Sequence, residues 1–327
     1  MPPLITIGIL NYNGHQRLKK VIPSIIGQKY PQLEILVIDN GSIDGSIDYL
    51  NGFKEITVFR NQENLGYGKA KNMLVDLSSG EFILMLDNDI ELTDTHVLSE
   101  LLDFYNTIEN ISFLSIPLLD IDNRSSTIHY GLYYSSVKKP LHIDDIRSTN
   151  HYSPGGFIGG CVFFKKEIFM KLGAYDNKYP IHNDDYDLSA RAQIHGYKII
   201  VWTKHYAIHH GIEHYDNVKH ITWRSQYYLS GFMRMIFCTY RRTNLFKWIF
   251  ISSTWLFFYS LIDSFRYFNL GPIIAYFKSA FFLLRDLPDT MKRRKQIQEK
   301  RTVKKDVFLK IKPPSLRLHN KKTGSCL

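Results

Sequence analysis

Two aspartates stand one residue apart, in the sequence Asp87-Asn88-Asp89, directly after an apolar segment at residues 82–86. That segment is typical of a buried strand, and side chains alternate along a strand, so Asp87 and Asp89 point the same way. Paired carboxylates repel unless a cation or a hydrogen-bonding ligand lies between them, and hard oxygen ligands suit Mg²⁺ or Mn²⁺ carrying a phosphate. The pattern therefore indicates a nucleotide-diphosphate site, although a polar turn after a strand has the same composition.

The elements that must position these carboxylates alternate between strand and helix over the first ninety or so residues. Apolar runs predict strands at residues 4–10, 34–38, 56–60 and 82–86. The segments between them predict helices at residues 16–27, 47–53 and 68–77. The strands are continuous apolar runs, as expected of a parallel sheet that helices cover on both faces. Such sheets bind ligands beyond the carboxyl ends of their strands, where the strand order reverses.

A polar cluster follows each predicted strand, at residues 11–13, 39–42, 61–64 and 87–89. Tyr12 carries a flat ring that can stack on a nucleobase; a packed surface tyrosine is the alternative. Asp39 can accept hydrogen bonds from a base imide or a ribose hydroxyl; a turn residue is the alternative.

These stretches resemble the family 2 glycosyltransferases with the GT-A fold, and within that family the rhamnosyltransferase-like members that build bacterial surface polysaccharides. The matching segments follow the family's order, at residues 10–13, 37–45, 64–72, 87–89, 159–161, 183–188 and 208–211. The resemblance covers roughly residues 4–212. It implies an α/β, Rossmann-like fold with a mostly parallel sheet flanked by helices.

The resemblance implies a donor site in the first half of the chain. Its donor-binding residues are Tyr12, Asn13, Asp39, Asn64, Gly66, Lys69 and Asp87. Gly66 and Gly68 lead into a predicted helix, which permits a ligand to approach the backbone closely. Lys69 is then expected to contact a phosphate, and Asp87 the ribose or the metal.

The acceptor half contains three carboxylates within four residues, at Asp184, Asp185 and Asp187. Acidic residues at a helix start also serve as caps, and Asp187 is spaced to pair with Arg191. The family usually has Glu-Asp here with the aspartate as catalytic base, so the resemblance assigns the base to Asp185 and an acceptor contact to Asp184.

Two further motifs complete the implied site. Gly159 and Gly160 interrupt a predicted strand at residues 157–164, and paired glycines weaken a strand unless something approaches its backbone closely. The resemblance implies an acceptor sugar there. It also makes His209 a ligand of the metal or the diphosphate together with Asp89; the choice of His209 over His210 depends on the motif, and a structural histidine is the alternative.

Composition and length predict one catalytic domain with an appendage. The chain has 327 residues, of which 44% are hydrophobic, and three widely spaced cysteines that form neither a disulfide framework nor a zinc pattern. We expect a catalytic domain at residues 1–215, divided into a nucleotide-sugar half at 1–92 and an acceptor half at 93–215. Residues 120–155 have no clear periodicity, and we interpret them as an acceptor-side insertion or a flexible loop. The chain enters its first strand directly, so we expect no signal peptide and a reducing, cytoplasmic location.

The last third of the chain is apolar and then basic. Two apolar runs, at residues 248–262 and 270–284, are shorter than the ~20 residues of a spanning helix. They predict a helical region at 216–290 that lies on a bilayer surface, with core-packing or dimer-forming helices as the alternative. The tail at 291–327 contains thirteen Lys or Arg residues against two acidic ones, so the net charge of +10 belongs to it. We expect it to bind anionic lipid at the inner face of the cell membrane; no nucleic-acid module accompanies it.

The sequence therefore predicts an inverting, metal-dependent glycosyltransferase that uses Mg²⁺ or Mn²⁺. It is expected to move one sugar from a UDP- or dTDP-linked donor to a hydroxyl of a lipid-linked or growing glycan. The Gln-x-x-Arg-Trp motif of processive synthases is missing, which favours single transfer. The alternatives are a nucleotidyltransferase acting on sugar phosphates and a non-catalytic membrane-assembly adaptor.

Overall fold

A computed structural model describes residues 1–121, 126–129, 150–179, 183–211 and 218–310. Most of the insertion predicted at residues 120–155, and the end of the basic tail at 311–327, lie outside the described residues.

Strands of the described chain are β1 (Ile5–Asn11), β2 (Leu33–Asp39), β3 (Ile56–Arg60), β4 (Phe82–Asp87), β5 (Ile90–Leu92), β6 (Ile111–Ser115), β7 (Leu118–Ile121), β8 (Ser126–His129), β9 (His151–Tyr152), β10 (Cys161–Lys165), β11 (Lys198–Trp202) and β12 (Ala207–His209). Its helices are α1 (His15–Ile26), α2 (Ser46–Leu50), α3 (Tyr67–Leu77), α4 (Val97–Thr107), α5 (Lys166–Lys171), α6 (Asp184–Ile194), α7 (Val218–Thr239), α8 (Arg242–Arg266), α9 (Gly271–Arg285) and α10 (Leu287–Glu299). A 3₁₀ turn follows at Val307–Lys310.

The central sheet has eight strands in the order β3-β2-β1-β4-β10-β6-β11-β9. Its first four strands are parallel, and β10 runs antiparallel to both of its neighbours. The strand order reverses at β1, because β2 lies on one side of it and β4 on the other. Asp87 is therefore the register partner of Leu10, at the switch point where open α/β sheets bind their ligands.

Both faces of this sheet are buried, as the continuous apolar runs predict. Ile5, Ile7 and Ile9 of β1 belong to one core, whereas Leu10 and its neighbour Met85 of β4 belong to the core on the other face. The predicted strand–helix alternation is confirmed, and the observed bounds differ by a few residues at most.

The strand predicted at residues 157–164 differs from the observed one. The described strand begins only at Cys161, and Gly159 and Gly160 lie in the turn that leads into it. The Gly159 carbonyl accepts a hydrogen bond from Lys71 Nζ (2.8 Å), and the Gly160 carbonyl accepts one from the Asp87 backbone N–H (3.0 Å). These bonds hold the turn against the end of β4.

A second sheet, in the order β5-β12-β7-β8, carries the histidine motif to the same region. In its register His209 is opposite Ile90 on one side and Asp120 on the other. Long-range pairing thus places His209 beside the strand that follows Asp89.

The C-terminal region is helical, as predicted, and packs on the catalytic part. Tyr179 and Ile194 form a core with Met235 of α7 and Ile297 of α10. The helix that contains the first apolar run, α8, has 25 residues and therefore extends beyond the run at residues 248–262. Among the described helices, α8 alone is long and apolar enough to cross a bilayer, which is weak evidence for membrane association.

Candidate active site

A buried hydrogen-bond network joins the ends of three parallel strands. Asn88 Nδ2 donates to Asn11 Oδ1 (2.8 Å), and Asn11 Nδ2 donates to Asp39 Oδ2 (2.8 Å). The other oxygen of Asp39 accepts from the Ser42 backbone N–H (2.9 Å). Asp39 is fully buried. Its carboxylate therefore fixes the strand ends, and its role as a direct donor contact stays a prediction.

A cleft of about 800 Å³ opens beside these strand ends. Its polar lining consists of Tyr12, Arg17, Asn40, Asn64, Gly66, Tyr67, Asp87, Asn88, Asp89 and Tyr227. Five predicted site residues are therefore brought together: Tyr12, Asn64, Gly66, Asp87 and Asp89. Of the other predicted donor and metal residues, Asp39 and His209 do not line the cleft, and neither do Asn13 and Lys69, which are exposed; the donor contacts of Asn13 and Lys69 stay predictions.

The loop before α3 is shaped by its own side chains. Asn64 Oδ1 accepts from the Gly66 backbone N–H and from Asn40 Nδ2, both at 2.9 Å. Gly66 has φ +82°, a conformation that L side chains rarely adopt. The loop presents its backbone to the cleft, as expected of a segment that a phosphate or sugar approaches closely.

Lys71 is a buried cation that contacts two residues of the cleft lining, Asp87 and Tyr67, and sequence reasoning missed it. Its Nζ lies 2.9 Å from Asp87 Oδ1 and donates to the Gly159 carbonyl and the Tyr67 hydroxyl. The Tyr67 hydroxyl in turn donates to Asp87 Oδ1 (2.8 Å). A lysine in a helix is usually a surface residue; the one available signal was the four-residue spacing that puts Tyr67 and Lys71 on one face of α3.

The predicted base, Asp185, lies beside the glycine turn at residues 159–160. A Cβ at Gly159 would be 3.6 Å from Asp185 Oδ2, and a Cβ at Gly160 would be 3.4 Å from Asp87 Oδ2. The turn is thus the point where the donor carboxylate and the predicted base come close together. Asp185 is partly exposed, and its Oδ1 accepts from the Tyr186 backbone N–H (2.8 Å).

Asp184 has a different environment from Asp185, its neighbour. It is buried, and its Oδ2 has no hydrogen-bond partner in the described part of the chain. Burial, and then the charge of Asp185, raise the pKa of the Asp184 carboxyl to about 8. Asp187 is fully buried and accepts from Arg191 Nε (2.8 Å), so the predicted i,i+4 pair is confirmed.

Asp89 and His209 form a carboxylate–imidazole pair beside the cleft. His209 Nε2 lies 3.5 Å from Asp89 Oδ2, and His209 Nδ1–H donates to Asp120 Oδ1 (2.5 Å). Burial lowers the pKa of His209, but the hydrogen bonds and charges of Asp120 and Asp89 outweigh it and raise the pKa to about 10. Asp89 and Asp120 therefore favour positive charge at the imidazole, and a metal bound at Nε2 would replace a proton there. Asp120, which orients the imidazole, was missed because only the second sheet brings it there.

These residues fit a divalent cation. Asp89 Oδ1 is buried without a hydrogen-bond partner among the described residues. The carboxylate packs closely against Gly211, where a Cβ would lie 1.9 Å from Asp89 Oδ2, so only glycine at 211 lets Asp89 and His209 approach each other in this way. Within the same described ranges no three His, Cys, Asp or Glu side chains converge as a complete site. A cation held by Asp89 and His209 would therefore take further oxygen ligands, such as water or the diphosphate of a bound donor.

An α/β sheet with a ligand cleft at its switch point is the architecture of the GT-A class of glycosyltransferases, and solved members of that class have the same fold. A mannosyltransferase from Pyrobaculum calidifontis, solved with GDP-Man and Mn²⁺, aligns with a TM-score of 0.55 at 16% identity over 94% of this chain and 85% of its own. GalNAc-T7, solved with UDP, GalNAc and Mn²⁺, aligns with a TM-score of 0.55 at 19% identity over 72% of this chain and 47% of its own.

Residues 6–173, just over half of the chain, match the model of glycosyl transferase family 2, and the chain belongs to that family. An uncharacterized glycosyltransferase of Haemophilus influenzae is 26% identical over 56% of each chain. The Bacillus subtilis protein TuaG, described as a putative teichuronic acid biosynthesis glycosyltransferase, is 28% identical over 27% of this chain and 36% of its own. The chain thus spans about half the length of the first of these relatives.

Proposed function

We propose that this protein is an inverting, metal-dependent glycosyltransferase that moves one sugar from a nucleoside-diphosphate donor to an acceptor hydroxyl. The observation that carries the proposal is the glycine turn at residues 159–160, which lies close to both Asp87 of the donor cleft and Asp185 of α6. A donor-cleft carboxylate and a second carboxylate that border one small space suit a single displacement, in which one side of the site holds the donor and the other takes the acceptor proton.

Tyr12, Asn64 and Gly66 line the cleft where the nucleotide would lie, with the Tyr12 ring 47% exposed and available for stacking. Lys71 holds Asp87 in place at the end of β4. Asp89 and His209 would hold the divalent cation, which when bound supplies charge stabilisation to the departing diphosphate. The Asp120 carboxylate fixes the orientation of the imidazole.

Asp185 is the proposed base. Its carboxylate takes the proton of the acceptor hydroxyl while that oxygen forms a bond to the anomeric carbon, and the bond to the diphosphate oxygen breaks with its electron pair leaving on the nucleoside diphosphate. Asp184 and the backbone at Gly159 and Gly160 are proposed to position the acceptor. Such a single displacement inverts the configuration at the anomeric carbon.

The proposed donor is a UDP- or dTDP-linked hexose or deoxyhexose, as in the rhamnosyltransferase-like enzymes, and the proposed acceptor is a lipid-linked or growing surface glycan. The names of the neighbours support a nucleotide-sugar donor, since they include UDP and GDP-Man complexes. A cytoplasmic site at the inner face of the membrane suits such an acceptor, and the exposed aromatic side chains of α8 and α9 support this location.

The experiment that tests this function incubates the full chain, with Mn²⁺ or Mg²⁺ and a bacterial membrane fraction, with a panel of UDP-, dTDP- and GDP-sugars. Release of nucleoside diphosphate from one donor, dependent on the metal, is the expected result. Release of pyrophosphate from a nucleoside triphosphate and a sugar phosphate, without activity on any nucleotide sugar, would instead identify a nucleotidyltransferase.

A further inference from the structure

A second large groove, of about 1180 Å³, lies between the start of α8 and the length of α10. Its lining divides into a basic set and an apolar set. The basic residues are Arg241, Arg242, Lys292, Arg294, Lys295 and Arg301. The apolar residues are Phe237, Leu245, Phe246 and Met291. A groove with these two kinds of wall matches a ligand that has both a negative group and a hydrocarbon part.

The positive charge of the groove is poorly compensated within the described residues. Its one acidic side chain, Glu299, lies 3.9 Å from Lys295, and both are largely exposed. Arg301 pairs with Asp306 (3.0 Å) outside the lining. No ion pair of the described chain involves the side chains of Arg241, Arg242 or Lys292, all three of which are exposed.

Arg294 lies close to two of the other basic side chains, Arg242 and Arg301. Its Nη1 donates to the Tyr240 carbonyl (2.8 Å), which closes the end of α7. Burial is the main cause that lowers the pKa of the Arg294 guanidinium; Cys238 opposes it, and the charges of Arg242 and Arg301 lower it further. Like charges that are held this close together favour a bound anion between them.

The apolar wall of the groove continues onto the outer surface of α8. Phe246, which is 78% exposed, lines the groove and, with Phe250 one turn later, begins a broad exposed apolar face of α8. This apolar face also includes Trp255, Phe258, Tyr259 and Ile262. The inward side of the same helix carries four polar residues, Ser252, Ser260, Asp263 and Ser264, beside Leu245 and Leu256. A helix whose large apolar side chains point outward is typical of a surface that meets hydrocarbon.

We propose that this groove binds the phosphate headgroup of an anionic lipid within a bilayer, with the acyl part of the lipid against Phe246 and the exposed apolar face of α8. Charge complementarity selects an anion, and continuity with the apolar face selects one that is embedded in a bilayer. The site lies outside the donor cleft. The lipid site would provide a specific contact for the proposed membrane location. It can be tested independently of sugar transfer.

The test compares two triple variants of the full chain that lose the same charge. Arg241→Gln, Arg242→Gln and Lys292→Gln remove the unpaired cations of the groove. Lys19→Gln, Lys20→Gln and Lys54→Gln, all exposed in the catalytic part, are the matched control. Circular dichroism and thermal unfolding first establish that each variant is folded. The two variants and the unsubstituted chain are then sedimented with phosphatidylcholine vesicles that contain or lack phosphatidylglycerol.

We expect the groove variant to bind phosphatidylglycerol vesicles about a hundredfold more weakly than the unsubstituted chain, because each basic residue near an anionic surface contributes roughly 1 kcal/mol. The control should bind like the unsubstituted chain, and binding to neutral vesicles should be the same for all three proteins. Equal losses in both variants would show only general charge attraction and overturn the groove site.

A second arm separates a lipid from a soluble anion. Inorganic phosphate is titrated into the unsubstituted chain and into the groove variant by calorimetry. If phosphate binds the former and not the latter while vesicle binding is the same for both, the groove is a soluble-anion site and the lipid proposal is wrong. Loss of vesicle binding in the groove variant with normal release of nucleoside diphosphate would support the lipid site and leave the catalytic proposal standing.

Discussion

Lys71 Nζ lies 2.9 Å from Asp87 Oδ1, and the lysine side chain that makes this contact is fully buried. The same ammonium donates to the Gly159 carbonyl (2.8 Å). One cation thus connects the end of β4, which belongs to the donor cleft, with the glycine turn that faces Asp185. The contact explains why a lysine stands in the interior at this point of α3.

Replacing Lys71 should damage both stability and donor binding. Lys71→Met leaves the Gly159 carbonyl and the Asp87 carboxylate without their cation, and breaking a buried pair in this way costs about 3–5 kcal/mol. Lys69→Met, two residues away on an exposed position of α3, should change the free energy of unfolding by less than about 0.5 kcal/mol. Chemical denaturation and calorimetric titration with a nucleoside diphosphate measure the two effects. If Lys69→Met lost more affinity for the diphosphate than Lys71→Met, Lys69 would be the residue that contacts the phosphate.

Asp89→Ala should abolish turnover and leave the fold intact. Asp89 Oδ1 has no hydrogen-bond partner among the described residues, so little native structure depends on it. Loss of the proposed metal ligand removes several kcal/mol of charge stabilisation, which is about a thousandfold or more in rate. Turnover and Mn²⁺ affinity in the presence of nucleoside diphosphate are the measurements. Undiminished turnover of the unsubstituted chain in excess EDTA would contradict the metal assignment.

The raised pKa of Asp184 predicts a pH dependence of stability. Burial, and then the charge of Asp185, raise this pKa to about 8 from an ordinary value near 3.8. Between these two pH values the native state holds a proton that the unfolded chain has lost, so this group makes the free energy of unfolding fall as the pH rises. Asp184→Asn should flatten that decline. Urea denaturation from pH 4 to 8 in EDTA measures it, and equal slopes for both proteins would refute the protonated state.

Arg293 should be essential to the catalytic helix although it lies in the basic segment. Its Nε is 2.8 Å from Asp176 Oδ2, and its Nη2 is 3.7 Å from Asp187 Oδ2 of α6. Arg293→Gln removes one of the two cations beside each carboxylate, because Asp176 also pairs with Arg234 and Asp187 also pairs with Arg191. The substitution should therefore cost about 1–3 kcal/mol. Lys295→Gln, on the same helix and 79% exposed, should cost less than about 0.5 kcal/mol. Thermal unfolding compares the stability of the two variants. Equal stability would mean that the contacts of Arg293 on α10 do not stabilise α6.

The local parts of this structure were predictable from sequence, because each depends on a short pattern. Apolar runs identified β1 to β4, and the polar clusters after them marked the edge where the cleft lies. The spacing of Asp187 and Arg191 predicted an ion pair that a helix alone can specify.

The remaining features depend on contacts between distant segments. Sheet pairing brings Asp120 to His209, and packing of α10 on α6 turns Arg293 from a solvated charge into a buried one. Asp39 was predicted to meet a ligand, but its two oxygens are already bonded to Asn11 and Ser42. No periodicity in the sequence reports such pairings.

The most direct measurement of the central proposal is nucleoside diphosphate release by Asp185→Asn, with Asp187→Asn as its matched control. The amide keeps the shape of the side chain but cannot take the acceptor proton, so Asp185→Asn should bind donor normally and lose nearly all turnover. Asp187→Asn should lose mainly stability, because its buried carboxylate pairs with Arg191. Normal turnover in Asp185→Asn, together with catalytic loss in a folded Asp187→Asn, would contradict the assignment of the base and place it two residues further along α6.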